Sequence, residues 1–371
     1  MDWNIIPGYS KIKKQLIQNI KGNRIAHAQL FVGKDGYASL ALALAYANEV
    51  IKSNKNANQF DVLKHPDVYF SYPIILSKDK GITKSVDVID HWRAFLQNHP
   101  FGLLKDWRGY FPDAGNKKML IGVEESAEII KNYSLKSHQA GTKIQLIWLP
   151  EKMNVETSNK ILKLIEEPPE KSLIILITNS LESLLPTIIS RCQQINIPPL
   201  EVGIIQSFLE ENKGIEKEQS KSFAIQSYGA IGKAISLAED KENAFENYFI
   251  EWIRNAFMAK KNLKALRALE EWSKTMNSLS RDTLIDFIKY AVEIFRLALH
   301  CNYKNQSITY RAIESNGFDW DKFSTYIHGG NIETIYTLLN KAAFELNRNA
   351  NTKSVLLNLS IDVTREIHKK L

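Results

Sequence analysis

Short β-branched runs that alternate with stretches of helical spacing fill residues 1 to about 198, and this alternation limits the fold more than any other feature of the chain. The expected strands are QLFVG (29–33), VYFSYPI (68–74), KIQLIWLP (143–150), LIILITN (173–179) and QQINI (193–197). Between them SLALALAYANEVI (39–51), GVEESAEIIKNYSL (122–135), NVETSNKILKLIEE (154–167) and LLPTIIS (184–190) carry apolar residues three and four apart, the spacing of helices. Strands joined by crossover helices imply an α/β domain with a mostly parallel sheet covered on both faces. Pro168 lacks an N–H and restricts Glu167 before it, so the helix through LKLIEE must stop there. Residues 78–118 break the rhythm with Gly, Pro and charge clusters and read as an insertion, with Trp92, Phe95, Phe101, Trp107, Tyr110 and Phe111 packing it onto the body. After the Pro198-Pro199 pair nothing resembles a buried strand. The expected organisation is an α/β domain at 1–198, a small helical module at 199–240 and an all-α region at 241–371.

A chain of 371 residues is long enough for two or three domains. Its 44% hydrophobic and 24% charged residues are those of a folded globular protein. No apolar run approaches the ~18 residues of a membrane helix, and the N-terminus lacks the layout of a signal peptide, so a cytoplasmic protein with no membrane partner is expected. Cys192 and Cys301 are the only cysteines, and their separation supports neither a disulfide framework nor a metal site. A formal charge of +7 permits a nucleic-acid partner, but the lysines are scattered among nearly as many acids.

The segment LFVGKDGYASLALALAYA has the outline of a phosphate loop between strand and helix. In a working G-x-x-x-x-G-K-[ST] loop, backbone N–H groups surround the β-phosphate, the lysine reaches the β/γ oxygens and the hydroxyl holds magnesium. Registered on Gly33, with Gly36 inside the turn, the second glycine position falls on Ala38, the lysine on Ser39 and the hydroxyl on Leu40. The paired acids that should end the following strand are replaced by Trp148 and Leu149, with Glu151 displaced behind a proline. Charge compensation and metal ligand are both missing, so no cofactor and no metal are expected.

NKILKLIEEPP (159–169) followed by LIILITNSLESLLPTIISRCQQINIPP resembles the AAA+ subunits of the bacterial DNA polymerase III clamp loader, in which a helix ending L-E-E-P-P leads to a sensor strand and then to L-x-x-T-I-x-S-R-C. NRIAHAQLFVG (23–33) and IGVEESAEI (121–129) resemble the segments that enter the phosphate loop and precede the acid-bearing strand. Together these cover most of residues 1–200, and the helical remainder matches in order and size only. A member that keeps Ser190, Arg191 and Cys192 while losing the lysine, hydroxyl and acids is similar to the delta-prime branch of that family. The four cysteines of the zinc module found in many relatives are absent from NEVIKSNKNANQFDVLKHPD, and the insertion at 78–118 is unlike better-known members.

The resemblance implies an AAA+ domain, a helical lid and a helical collar. It also implies that Arg191 is an arginine finger acting in trans on a neighbour's ATP, since a guanidinium against the γ-phosphate stabilises the developing charge. The implied partners are a tau/gamma-type ATPase subunit, the delta subunit, the sliding clamp indirectly, and primer-template DNA. Ser190 is a local cap and Cys192 a packing residue. Thr178 and Asn179 end the sensor strand, and the second-sensor arginine position falls on Gly232, with Lys233 beside it. Glu166 and Glu167 are not expected to form a catalytic pair, because adjacent helical positions face apart. His27 and His65 are isolated and read as core or turn residues. Two rivals remain: an ATPase with a non-standard loop using Lys34, and a DNA-binding scaffold in which Arg191 is only structural.

Overall fold

The computed structural model describes residues 2–53, 61–112, 117–134, 137, 141–239, 244–259, 263–304, 313 and 315–369. Parts of the insertion (113–116) and of the segment searched for zinc ligands (54–60) lie outside these residues. The chain separates into two compact units, Met1–Glu239 and Asp240–Leu371.

The first unit runs α1 (Ser10–Lys21), β1 (Ala28–Val32), α2 (Ser39–Ser53), β2 (Val68–Ser71), α3 (Ile89–Asn98), α4 (Leu104–Arg108), α5 (Val123–Ser134) and β3 (Lys143–Trp148). It continues with α6 (Val155–Glu166), β4 (Ser172–Thr178), α7 (Pro186–Ile189), β5 (Gln193–Asn196), α8 (Val202–Lys213), α9 (Lys217–Gln226) and α10 (Ile231–Glu239). The strands form one parallel sheet in the order β2-β3-β4-β1-β5. The expected sheet is therefore present, with β2, β3 and β5 shorter than expected, β5 by Ile197 alone. β2 stops at Ser71 because the chain turns away through Pro73, and Ile74 instead makes an antiparallel bridge to Leu120. β3 stops at Trp148 because Leu149 takes a left-handed conformation (φ 57, ψ 58) and Pro150 follows.

Both sheet faces are apolar, as parallel strands require. Phe31, Ile144, Leu146, Trp148, Leu173, Ile175 and Ile177 point to the side covered by α2, the insertion and the helices after residue 200. Leu30, Ile147, Ile174 and Leu176 point to the opposite side, where Ile129 of α5, Ile161 and Ile165 of α6 and Ile188 of α7 cover them. Helices α8 to α10 share the first core through Ile205, Leu209, Ala224, Ile231 and Ala234.

The insertion is held by aromatic packing and one buried carboxylate. Trp92, Phe95, Phe101 and Trp107 are buried, while Tyr110 and Phe111 are partly so. Trp92 stacks on Tyr72 at 4.1 Å, and Trp107 meets both edge-on. Glu125 of α5 accepts from Ser71 Oγ at 2.5 Å and from the Ser85 backbone N–H at 2.7 Å. Burial pushes its carboxyl above the usual range, against the pull of these donors. Glu125→Ala leaves both donors without this acceptor and is expected to lower stability by about 1–3 kcal/mol. A shifted urea midpoint at pH 7 checks it, and an unchanged midpoint would show that water replaces the carboxylate.

The second unit is all-helical among the described residues: α11 (Ala244–Ala259), α12 (Leu263–Met276), α13 (Arg281–Asn302), α14 (Trp320–Ser324), α15 (Ile332–Asn347) and α16 (Thr352–Ile367). Its core centres on Trp252 and Trp272, whose rings stack at 5.4 Å. Trp252 Nε1 donates to Ser360 Oγ of α16 at 2.9 Å, so the buried indole is satisfied.

Candidate functional site

The loop from Gly33 to Ser39 joins β1 to α2 at the end of the parallel sheet, where α/β folds place their ligands. Its interior is occupied by protein. Ser39, at the lysine position, is buried with its hydroxyl against Gly33, where any added Cβ would collide with it. Ala38 and Leu40 are buried in the core. Tyr9 stands at the start of α2: burial pushes its hydroxyl up to about 12, and the Ala38 backbone N–H is the group that pulls it back.

The insertion and α10 close the other side. Gly36, with φ +80, is so tightly covered that a Cβ there would lie 2.7 Å from Leu103 Cδ2 and 3.2 Å from the Lys233 backbone nitrogen. The Gly232 backbone N–H donates directly to Gly36 O at 2.9 Å. Any side chain at Gly232 would collide with the Phe101 carbonyl, and the Phe101 ring packs edge-on against Phe208 of α8 at 5.7 Å. Loop, insertion and α10 are therefore in van der Waals and hydrogen-bond contact with one another. Lys34 is exposed at the loop tip.

The end of β3 carries an aromatic ring in place of acids. Trp148 is buried against Trp92 at 5.3 Å and Phe95 at 5.6 Å, and Leu149 is buried beside it. Glu151, which its spacing sets aside, returns to the same end of the sheet. Its carboxylate accepts from Thr178 Oγ1 at 2.8 Å and the Asn179 backbone N–H at 3.0 Å, and burial pushes it above the usual carboxylate range. Asn179 Nδ2 donates to Asp35 Oδ1 at 3.2 Å. Two acids, Asp35 and Glu151, thus converge on the end of β4, a polarity unfavourable to a phosphate.

Arg191 lies after α7, just before β5, and its side chain is 40% exposed. Its Nε sits 2.6 Å from Glu166 Oε1. Nη1 donates to Thr187 O at 3.0 Å and lies 3.5 Å from Ser190 Oγ, and that hydroxyl itself donates to Thr187 O at 3.2 Å. Glu166 is thus engaged by Arg191. The pairing of Glu166 with Arg191 is what spacing alone misses.

A family model described as "DNA polymerase III, delta subunit" matches residues 8–201, more than half of the chain, and takes in the loop, the end of β3 and the Ser190-Arg191-Cys192 segment. The chain belongs to this family. Among relatives of this delta-subunit-family chain, "DNA polymerase III subunit delta'" of Bacillus subtilis (strain 168) is 26% identical over 210 residues, covering 54% of this chain and 51% of its own. The delta' subunit of Yersinia pestis is 38% identical over 97 residues, 26% of each chain. The chain thus spans about half the length, 51%, of the Bacillus relative. A gamma subunit-related protein from Thermotoga maritima superposes over 96% of this chain and 99% of its own, at a TM-score of 0.42 and 15% identity. The family assignment rests on the sequence match.

The remaining candidates have structural partners. Burial pushes the Cys192 thiol up to about 11, so it is a packing group and not a nucleophile at neutral pH. His27 Nε2 pairs with Ile165 O at 3.0 Å, tying the entry of β1 to the end of α6. His65 Nδ1 accepts from the Asp67 backbone N–H at 3.1 Å within a turn. Among the described residues no cluster of three metal-ligating side chains occurs, and no helix is long and apolar enough to cross a membrane.

Proposed function

We propose that this chain is the non-hydrolysing, delta-prime-type AAA+ subunit of a replicative DNA polymerase III clamp loader, and that Arg191 is an arginine finger acting in trans on ATP bound by a neighbouring subunit. One observation carries the reading: Arg191 is exposed at the end of α7, while the chain's own loop is closed by Ser39, Leu103 and the Gly232–Gly36 hydrogen bond. A loop with no lysine, no magnesium hydroxyl and no paired acids has nothing to bind or activate a triphosphate. A guanidinium at an exposed helix end retains the chemistry that a partner's γ-phosphate needs. On this reading the loop is an inherited phosphate loop whose fold serves a neighbour's site.

The partners in this reading are a tau/gamma-type ATPase subunit, a delta subunit, the sliding clamp through that subunit, and primer-template DNA, all in the cytoplasm. Residues 1–198 form the AAA+ body, 199–240 the lid and 241–371 the collar that holds the hetero-oligomer together. The names of the delta' relatives support the assignment.

The test is DNA- and clamp-stimulated ATP hydrolysis by the reconstituted loader. Arg191→Ala is expected to lower turnover roughly tenfold in an intact assembly, well inside the ~10³–10⁵ ceiling for a fully arginine-dependent site. The ion pair to Glu166 favours a second reading, in which Arg191 only ties the ends of α6 and α7 together. Unchanged turnover with assembly intact would establish that one.

A further inference from the structure

We propose that Glu166 is the positioning residue for Arg191, holding the guanidinium in the orientation in which a neighbouring chain's phosphate meets it. The inference rests on the finger reading above. A solvent-exposed arginine samples many rotamers, and a finger that must order itself at each turnover loses effectiveness by that freedom. Here the guanidinium is gripped on two sides. Glu166 Oε1 lies 2.6 Å from Nε, and the Thr187 carbonyl takes Nη1 at 3.0 Å. Those contacts fix the plane of the fork and leave its remaining edge toward solvent.

The platform under Glu166 is itself rigid. Pro168 stops α6, the Glu167 backbone N–H donates to Lys163 O at 2.9 Å, and Ile165 is fully buried. The Ile165 carbonyl is paired with His27 Nε2 at 3.0 Å, which anchors the last turn to the strand that feeds the loop. Folding gains little from the pair itself, because both side chains are two-fifths or more exposed, 40% for Arg191 and 45% for Glu166. A carboxylate at a helix C-terminus is also disfavoured by the helix dipole unless a cation faces it. An acid at this position is thus better explained by orienting Arg191 than by stabilising α6. Adjacent Glu167 has no such partner among the described residues.

The experiment uses the full chain in the reconstituted loader, with ATP as substrate and primed DNA and clamp present, and compares Glu166→Ala, Glu166→Gln, Arg191→Ala and the double Ala variant after assembly is verified by gel filtration. Glu166→Ala is expected to lower kcat roughly three- to tenfold with KM for ATP unchanged, since a positioning residue acts through Arg191 and not on the nucleotide. Glu166→Gln keeps an oxygen that accepts from Nε and is expected to restore most of the loss. The double variant is expected to fall no further than Arg191→Ala alone, the non-additivity of two residues acting as one. A rise in kcat for Glu166→Ala would overturn the proposal, because the carboxylate would then be competing with phosphate for the arginine. Additive losses would also overturn it, by placing Glu166 in some other role. An inert Arg191→Ala would instead remove the finger itself, and the positioning role with it.

Discussion

Trp148→Asp, the change that puts an acid back at the end of β3, is expected to destabilise the first unit strongly and to yield no metal ligand. The indole is 3% exposed and wedged between Trp92 and Phe95 on the side of the sheet that the insertion covers. Truncating a buried tryptophan costs about 3–5 kcal/mol through lost transfer energy and the cavity left behind. An aspartate adds a polar group without a partner in an aromatic cluster, worth about 1–3 kcal/mol more. Together these come to about 4–8 kcal/mol, a large fraction of a total stability of about 5–15 kcal/mol. Near-UV circular dichroism and the denaturant midpoint of the full chain measure it, with Trp148→Phe as the control that keeps a ring in the cluster. A midpoint close to wild type would mean that the insertion does not depend on Trp148, and the acid position would then be open in the sense an ATPase requires.

The same residue shows where sequence reasoning reached its limit. Periodicity finds the parallel sheet because its central strands are apolar on both faces: in β4, Ile174 and Leu176 serve one core, and Leu173, Ile175 and Ile177 the other. Local stereochemistry finds the end of α6, because a Pro-Pro pair leaves no alternative. The identities at 38–40 and 148–149 tell what the site lacks, since each missing group is a residue type at a set place. What occupies the space instead is invisible in the sequence. Phe101 meets Gly232, and Leu103 meets Gly36, across separations that no local pattern links. Spacing sets adjacent Glu166 and Glu167 facing apart, yet it has no means of pairing Glu166 with Arg191, because that contact depends on how the ends of α6 and α7 meet. Glu151 is similar: its place behind Pro150 looks too late for chemistry, and only the left-handed turn at Leu149 returns its carboxylate to Thr178 and Asn179.

Gly232→Arg is the second motif-restoring change, and it too is expected to break the structure before it can serve a nucleotide. A second-sensor arginine needs space between α10 and the loop for the phosphates it contacts. In this chain the Gly232 N–H is bonded to Gly36 O at 2.9 Å, and the first carbon of any side chain would already meet the Phe101 carbonyl. That obstacle is backbone, held by a buried ring packed on Phe208, so it cannot swing aside as a flexible side chain would. Overpacking of this kind costs about 1–3 kcal/mol, and losing the backbone hydrogen bond adds about 1 kcal/mol. A loss of about 3 kcal/mol corresponds to a fall of roughly 6–12 °C in the thermal midpoint of a unit this size. Faster hydrogen exchange at the Gly232 amide would localise the damage, and titration with Mg-ATP is expected to give no saturable binding. A stable variant that binds ATP would mean that α10 lifts from the loop at little cost, leaving a functional phosphate site beneath it. The expected result makes the opposite point: close contact with the Phe101 carbonyl and Gly36 leaves room at position 232 for glycine alone, and the chain itself fills the space over the loop.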